Sequence, residues 1–117
     1  MDPDLSHLLY RGQYFIGPRP FPAEGWQTRT LPCGKILSSH PALDVTQVEE
    51  NGFQVTLLGF MLDPFHAPDN DEQILRRICR DSDTVDAWIE ATASLGGRWL
   101  VLLYRGDESI AFNDAGA

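Results

Sequence analysis

The sequence predicts an α+β fold, in which antiparallel β-sheets carry two short helices packed on one face. The order of the elements predicts it: strand-like segments come first, two helical segments follow, and strand-like segments return. Helices that lie between runs of strands are typical of a layered α+β domain. The helices are therefore expected to cover one face of an antiparallel sheet.

The first strand candidates are bounded by proline. Residues 13–16 form a short strand that Gly17 and Pro18 terminate, and the proline-rich stretch that runs to Pro22 is predicted as extended loop. Residues 35–40 form a second strand, which ends at Pro41.

A β-hairpin is predicted around Asn51 and Gly52. Residues 45–49 alternate apolar and polar side chains, and residues 53–62 are mostly apolar. An Asn-Gly pair between two such segments is the strongest short-range hairpin signal. The hairpin fixes the register of a sheet.

The middle third contains two helices. Residues 68–72 supply a cap and first-turn acids for the first helix, whose three arginines are expected to face away from the core or towards its C-terminal end. The second helix starts at Ser82 and Asp83 and is expected to end at a Gly96–Gly97 C-cap. The apolar positions of the two helices are Ile74, Leu75, Ile78 and Cys79, then Val85, Trp88, Ile89, Thr92 and Leu95.

The last segment predicts a buried strand, a turn and a second strand, at residues 96–104, 105–108 and 109–113. A turn sequence, residues 114–117, follows the second strand. We therefore expect residues 1–12 to be an N-terminal extension and residues 13–117 to be a domain that is incomplete at its C-terminal end. An unpaired strand at 109–113 would favour a homodimer through this C-terminal strand.

Composition excludes several classes of protein. The 117 residues carry 17 acids and 9 bases, a net charge of -8, so the overall field repels nucleic acid. No apolar run approaches the roughly 20 residues of a membrane span. Asp2 and Asp4 stand where a secretory signal needs bases, so a cytoplasmic location is the default.

Metal and thiol chemistry have weak support in the sequence. Cys33 and Cys79 are predicted to be free thiols, since no CxxC pair is present. Residues 63–71 gather acids around His66, but the glycine and spacing of a calcium loop are missing. We expect the acids of this loop to cap the next helix and His66 to be solvated, with no metal and no cofactor.

A catalytic triad is also poorly supported. The histidines are His7, His40 and His66, and none lies in a recognised nucleophile motif. Ser38 and Ser39 precede His40, but adjacent strand residues point to opposite faces, so Ser39 and His40 do not meet in one site. Phosphate-binding glycine loops are absent from the sequence.

Four segments together resemble a known family. They are a buried strand, a helix entry, a glycine-led strand and an Asp-containing turn, at residues 57–63, 69–75, 95–104 and 112–116. In this order they resemble the N-terminal glutamine-amidotransferase-like domain of the asparagine synthase family, whose fold is that of the N-terminal-nucleophile (Ntn) hydrolases. The resemblance covers residues 13–117 and implies at least part of an Ntn-hydrolase-like αββα layer arrangement.

The resemblance also implies a chemistry, which this chain lacks at two positions. The family is an ATP-dependent, glutamine-hydrolysing amide ligase whose N-terminal cysteine attacks glutamine, with the chain's own amine as base. This sequence begins Met1-Asp2, without that nucleophile. The family's oxyanion motif, N-G-E-I-Y-N, matches residues 58–63, which keep Gly59, end at Asp63 and replace the donating Asn by Leu58.

The sequence therefore predicts a catalytically silent amidotransferase-like domain that supports a synthetase domain or partner chain. For the substrate carboxylate, Arg19 and Arg29 are candidates, but neither lies in the family's motif. Two alternatives stay open. One is a small interaction domain unrelated to synthetases, and the other is an active hydrolase, with a nucleophile generated by processing or a metal in the acidic loop.

Overall fold

The computed structural model describes residues 14–66 and 68–114. The chain divides into two compact units, Met1–Asp44 and Val45–Ala117, and each is described by itself below. The predicted N-terminal extension, residues 1–12, lies outside the described residues, as do His7 and the turn at residues 115–117.

The first unit contains a three-stranded antiparallel sheet. Its strands are β1 (Tyr14–Gly17), β2 (Gln27–Thr30) and β3 (Ile36–Ser39), in the order β1-β3-β2. Strands β1 and β3 confirm two predicted segments. Strand β2 was not predicted, because its sequence Gln-Thr-Arg-Thr has no apolar alternation. Its partner β3 supplies the hydrogen-bond ladder that holds it extended.

Aromatic side chains of the loop between β1 and β2 form a chain of ring contacts. Phe21 lies between Phe15 and Trp26, with ring centroids 5.4 and 4.9 Å apart, and Trp26 meets the edge of His40 at 6.1 Å. The Phe21 amide donates to Ser38 Oγ at 2.9 Å. The proline-rich loop is therefore attached to one face of β3 by stacking and a hydrogen bond.

The second unit contains a four-stranded antiparallel meander. Its strands are β4 (Val45–Glu50), β5 (Phe53–Leu62), β6 (Gly96–Arg105) and β7 (Glu108–Asn113), in sequence order. The predicted hairpin between β4 and β5 is confirmed, since Asn51 and Gly52 have φ of 53° and 80°, as a two-residue turn requires.

Two helices connect β5 to β6. Helix α1 (Asp71–Asp81) starts at Asn70, which forms a capping box with Gln73. Helix α2 (Val85–Ala91) is capped by Thr84 and continues into a 3-10 turn, Thr92–Ser94. The prediction that Gly96 and Gly97 cap this helix is wrong, because the 3-10 turn ends it earlier and both glycines begin β6.

The core of this unit lies between the helices and one face of the sheet. Phe112 of β7 stands edge-on to both Trp88 and Trp99, with centroid distances of 6.0 and 5.8 Å. The other buried members are Val48, Phe53, Val55, Leu57, Met61, Ile74, Leu75, Ile78, Cys79, Val101 and Leu103. The predicted α+β class is confirmed: each unit contains an antiparallel sheet, and the sheet of this unit carries two short helices on one face.

In the described residues, no helix combines the length and the apolar composition needed to cross a bilayer.

Candidate functional site

The segment that matches the family's oxyanion motif occupies the C-terminal half of β5. Leu58, the residue compared with the family's donating asparagine, is 3% exposed. Its aliphatic side chain has no hydrogen to donate to a developing oxyanion. The structure therefore places an apolar, buried side chain where the related chemistry needs a polar one.

Gly59 is required at its position by backbone geometry. Its φ is +102°, and a Cβ added there would lie 2.2 Å from the carbonyl oxygen of Arg98 on β6. Gly97 on β6 has the same problem, since its φ is +103° and its Cβ would lie 2.3 Å from the Phe60 carbonyl oxygen. The backbones of β5 and β6 approach closely here, and only glycine fits.

Asp63 follows β5 directly and is held by three donors. Its carboxylate accepts hydrogen bonds from the Phe65 amide at 2.9 Å and from Arg77 of α1, and His66 Nδ1 lies 3.1 Å from Oδ2. Arg77 also forms an ion pair with Asp69. The end of β5, the following loop and helix α1 are thus joined through one half-buried guanidinium group.

The environment of Asp63 stabilises its charged form. Burial acts to raise the pKa of this carboxyl group, but the Phe65 amide, the hydrogen bond and charge of His66 and the charge of Arg77 together bring the pKa below its ordinary value of 3.8. Asp63 is therefore a fixed anion at neutral pH, which does not suit a proton donor.

The acidic loop caps the helix only in part. The expectation that its acids do so is met by Asp71, in the first turn, whose Oδ1 also accepts a hydrogen bond from the Met61 amide at 2.9 Å. The N-cap itself is Asn70. Asp63 and Asp69 bind Arg77 instead. The loop acts as a clamp between strand and helix.

His66 does not form a catalytic pair with a nucleophile. Its side chain is about half exposed, as expected for a loop histidine, but it contacts Asp63 as well as solvent. Among residues 14–66 and 68–114, no hydroxyl or thiol is hydrogen-bonded to His66. In a catalytic triad the aspartate orients the imidazole towards a nucleophile, and the described residues place no such nucleophile beside His66.

A groove of about 550 Å³ opens beside this clamp. Its walls are mainly apolar and come from the end of β5, the loop after it, the 3-10 turn and the start of β6. The lining residues are Leu62, Asp63, Pro64, Asp69, Ala93, Ser94, Leu95 and Gly96. Both of its carboxylates are already paired with Arg77.

The serines before His40 have structural positions. Ser38 Oγ accepts the Phe21 amide, and His40 Nδ1 accepts the Ala42 amide at 2.9 Å. Ser39 is buried and its register in β3 puts it on the face opposite to Ser38 and His40. The sequence-based expectation that Ser39 and His40 do not share a site agrees with this arrangement.

Neither cysteine is part of a disulfide, as expected. Cys33 is exposed in the turn between β2 and β3. Cys79 is buried in α1, where the Trp88 indole donates to its Sγ at 3.4 Å and burial raises the pKa of the thiol. A thiol that stays protonated is a poor nucleophile.

The Asp-containing turn after β7 is fixed to β6. Asp114 Oδ1 accepts the Trp99 amide at 3.0 Å, and the Asp114 amide donates to the Trp99 carbonyl at 3.1 Å. This reciprocal pair continues the β6–β7 ladder by one residue. Its sequence signal, an aspartate after the strand, belongs to the segment that carries the family resemblance.

Within the part of the chain that the structure describes, no group of three or more His, Cys, Asp or Glu side chains is placed to hold a metal ion.

The residue that sequence reasoning missed is Arg77. It was expected to face away from the core, but it lies between Asp63 and Asp69. Its position three residues after Ile74 places it at the edge of the apolar stripe, where a long side chain can reach the sheet. That spacing, together with the acid Asp63 at the end of β5, is the sequence pattern that could have predicted the contact.

Comparisons of this chain with protein-family models, with curated proteins and with solved structures found no match.

Proposed function

We propose that this chain is a catalytically silent glutamine-amidotransferase-like domain, related to asparagine synthases, that supports a synthetase domain or a partner chain in amide-forming chemistry. An Ntn-hydrolase-like αββα layering of its sheets and helices is part of the proposal. The observation that carries it is the combination of Leu58 and Gly59 in one strand.

In this pair of residues, the one that the backbone geometry needs is kept, and the one that the chemistry needs is replaced. Gly59 is the motif residue that the close approach of β5 and β6 demands, and it is present. Leu58 occupies the position whose side chain is needed only for stabilising an oxyanion, and there the polar group is gone. Removal of one oxyanion donor costs about 10²–10³ in rate. Retained geometry without the chemical group is what a silent scaffold requires.

The rest of the region supports a structural role. The Asp63–Arg77–Asp69 clamp joins strand to helix, and Asp114 attaches the final turn to Trp99. Each of these acids is used in a contact within the unit. The buried thiol of Cys79 is protonated and enclosed, so it does not supply a substitute nucleophile.

The experiment is a glutaminase assay on the purified chain and two variants. We expect no glutamate above a protein-free blank for the wild type. If processing supplies a nucleophile, Leu58→Asn should release glutamate about 10²–10³ times faster than the wild type, because a donor is restored. Wild-type release that matches Leu58→Asn, or that Cys33→Ala abolishes, would contradict the proposal.

The synthetase half of the proposal has its own test. The natural reading frame that encodes this chain, or a neighbouring frame, should encode a synthetase domain with an ATP-binding loop. If neither does, the alternative of a small interaction domain unrelated to synthetases replaces this half of the proposal. The glutaminase result does not depend on that outcome.

A further inference from the structure

Two buried polar atoms on the three-stranded sheet have no hydrogen-bond partner. They are Arg29 Nε on β2 and Ser39 Oγ on β3. The other unpartnered buried atom in the described residues, Glu50 Oε2, lies 3.6 Å from Arg80 Nη1 and so has a cation beside it. Unpaired buried donors are costly, and each one calls for an explanation.

The strand register puts both atoms on one face. Arg29 pairs with Leu37, and Gln27 pairs with Ser39. Side chains opposite each other share a face, and residues two apart on one strand share it too. Arg29 and Ser39 are therefore diagonal neighbours, and such neighbours lie roughly 7–8 Å apart, which a long side chain can span.

Further polar side chains stand in the same row. Tyr14 of β1 and Gln27 of β2 are the two cross-strand partners of Ser39. Both are exposed, whereas Ser39 is only 1% exposed. The row thus runs from solvent at each edge of the sheet to an enclosed hydroxyl in the middle, with Arg29 diagonal to it.

Charge is consistent with a negative ligand. Among residues 14–66 and 68–114, no carboxylate forms an ion pair with Arg29, whereas the arginines of α1 all have acidic partners. Residues 14–44 contain three bases and two acids, against five bases and thirteen acids in residues 45–114. A guanidinium group presents a fork of donors that matches carboxylate and phosphate oxygens.

We propose that Arg29 and Ser39 form a binding site for a small oxyanion, a carboxylate or a phosphate, on this face of the three-stranded sheet. The Arg29 Nε–H and the Ser39 hydroxyl donate to separate oxygens of the anion. Arg29 is one of the two arginines that the sequence offers for the family's substrate carboxylate. The site goes beyond that expectation and beyond the proposed function, because it joins Arg29 to Ser39 in a unit that contains none of the segments that carry the family resemblance.

The test measures thermal unfolding of the full chain in sodium acetate or sodium phosphate, against sodium chloride at equal ionic strength. At an anion concentration ten times its Kd, the unfolding equilibrium constant should fall about tenfold relative to chloride. Acetate and phosphate are separate arms: a shift with one of them identifies the source of the oxyanion. No shift with either anion would overturn the proposal.

Variants locate the effect. Arg29→Gln and Ser39→Ala should each abolish the anion-dependent shift, and Arg29→Lys should reduce it, since lysine keeps the charge but loses the fork. Arg19→Gln is the matched control, because Arg19 is an exposed arginine of the same unit, and it should keep the full shift. A shift that survives Arg29→Gln would assign the anion elsewhere and overturn the site.

A second readout does not depend on the stability of the variants. The Nε–H resonance of Arg29 in the wild-type chain should move and saturate as acetate or phosphate is added. Loss of this response in Ser39→Ala, with the Arg29 resonance still visible, would support joint binding. An Arg29 Nε–H chemical shift that stays unchanged on addition of either anion would contradict the proposed site.

Discussion

The four-stranded sheet of residues 45–114 and the three-stranded sheet of residues 14–44 differ in how their polar groups are partnered. In the first, three acids at strand and helix ends are paired: Asp63 binds Arg77, Asp71 accepts a hydrogen bond from the Met61 amide and Asp114 accepts one from the Trp99 amide. Its one unpartnered buried polar atom in the described residues, Glu50 Oε2, has the Arg80 cation 3.6 Å away. In the second, Arg29 Nε and Ser39 Oγ are buried and unpaired. Satisfied polar groups indicate structure, and unsatisfied ones indicate a place where a ligand can bind.

The position that matches a catalytic motif falls in the structural region. Leu58 and Gly59 lie on the four-stranded sheet, and Leu58, the residue compared with the family's oxyanion donor, is aliphatic. The candidate ligand site falls on the other sheet. The residues compared with the family motif and the proposed oxyanion site therefore lie in different units.

The largest expected effect concerns the core under the helices. Trp88→Ala and Trp99→Ala should each lower the free energy of unfolding by about 3–5 kcal/mol, because each removes a buried indole that packs against Phe112. Urea denaturation measures it. Phe65→Ala is the control, since Phe65 is 78% exposed, and its midpoint should not change. Equal midpoints for all three variants would refute this description of the core.

The next effect separates a close backbone approach from simple backbone strain. Gly59→Ala should lower the free energy of unfolding by roughly 2–4 kcal/mol for two reasons: the new Cβ collides with the Arg98 carbonyl oxygen, and alanine is unfavourable at this positive φ. Gly52→Ala has a similar φ of +80° but nothing within 4 Å of its Cβ, so it should cost only the backbone term, about 1–2 kcal/mol. If urea denaturation gave the same loss of unfolding free energy for Gly59→Ala and Gly52→Ala, the close approach of β5 and β6 would be contradicted.

Acid should weaken the clamp at Asp63. Its pKa is lowered in the folded protein, so its contribution to stability is present above the unfolded value near 3.8 and is lost as pH falls through the lower folded pKa. The stability advantage of wild type over Asp63→Asn should therefore be fully present at about pH 5, and it should shrink as the pH falls below 3.8. Urea midpoints across this range measure it, and an advantage that grows on acidification would reverse the sign of the argument.

The smallest effect concerns assembly. Strand β7 lies at the edge of its sheet in the described residues, and Ile110 is exposed there. We expect weak, concentration-dependent dimers through this edge, because edge strands offer unpaired backbone groups to a second copy. Sedimentation should show a mass rising above 13.1 kDa with concentration, and Ile110→Lys should suppress the rise. Leu62→Lys, at another exposed position, is the control, and identical behaviour of both variants would exclude the β7 edge.

The elements of the four-stranded unit could be predicted because several independent sequence patterns agree on the same structure. The apolar spacing of α1, the Asn-Gly turn and the long apolar segments of β5 and β6 each favour the observed structure. The second helix was predicted too long, since Gly96 and Gly97 look like a helix cap but serve the close approach of β6 to β5.

The three-stranded unit was less predictable. Strand β2 has a polar sequence and exists because β3 pairs with it, which is a tertiary effect. The Arg77 clamp joins residues 8 and 14 positions apart, and the register of β2 with β3 makes diagonal neighbours of Arg29 and Ser39, which are 10 positions apart; single-sequence periodicity does not register such distances. The candidate site could be predicted as a motif position, but not as a set of contacts.

The central claim is that this chain has no working glutaminase nucleophile. The most direct measurement is the intact mass of the purified protein before and after incubation with a glutamine-mimicking diazoketone, which alkylates the nucleophile of a glutaminase. We predict an unchanged mass, since Leu58 removes the oxyanion donor and Cys79 is buried as a protonated thiol. A stoichiometric single adduct that excess glutamine prevents would contradict the account.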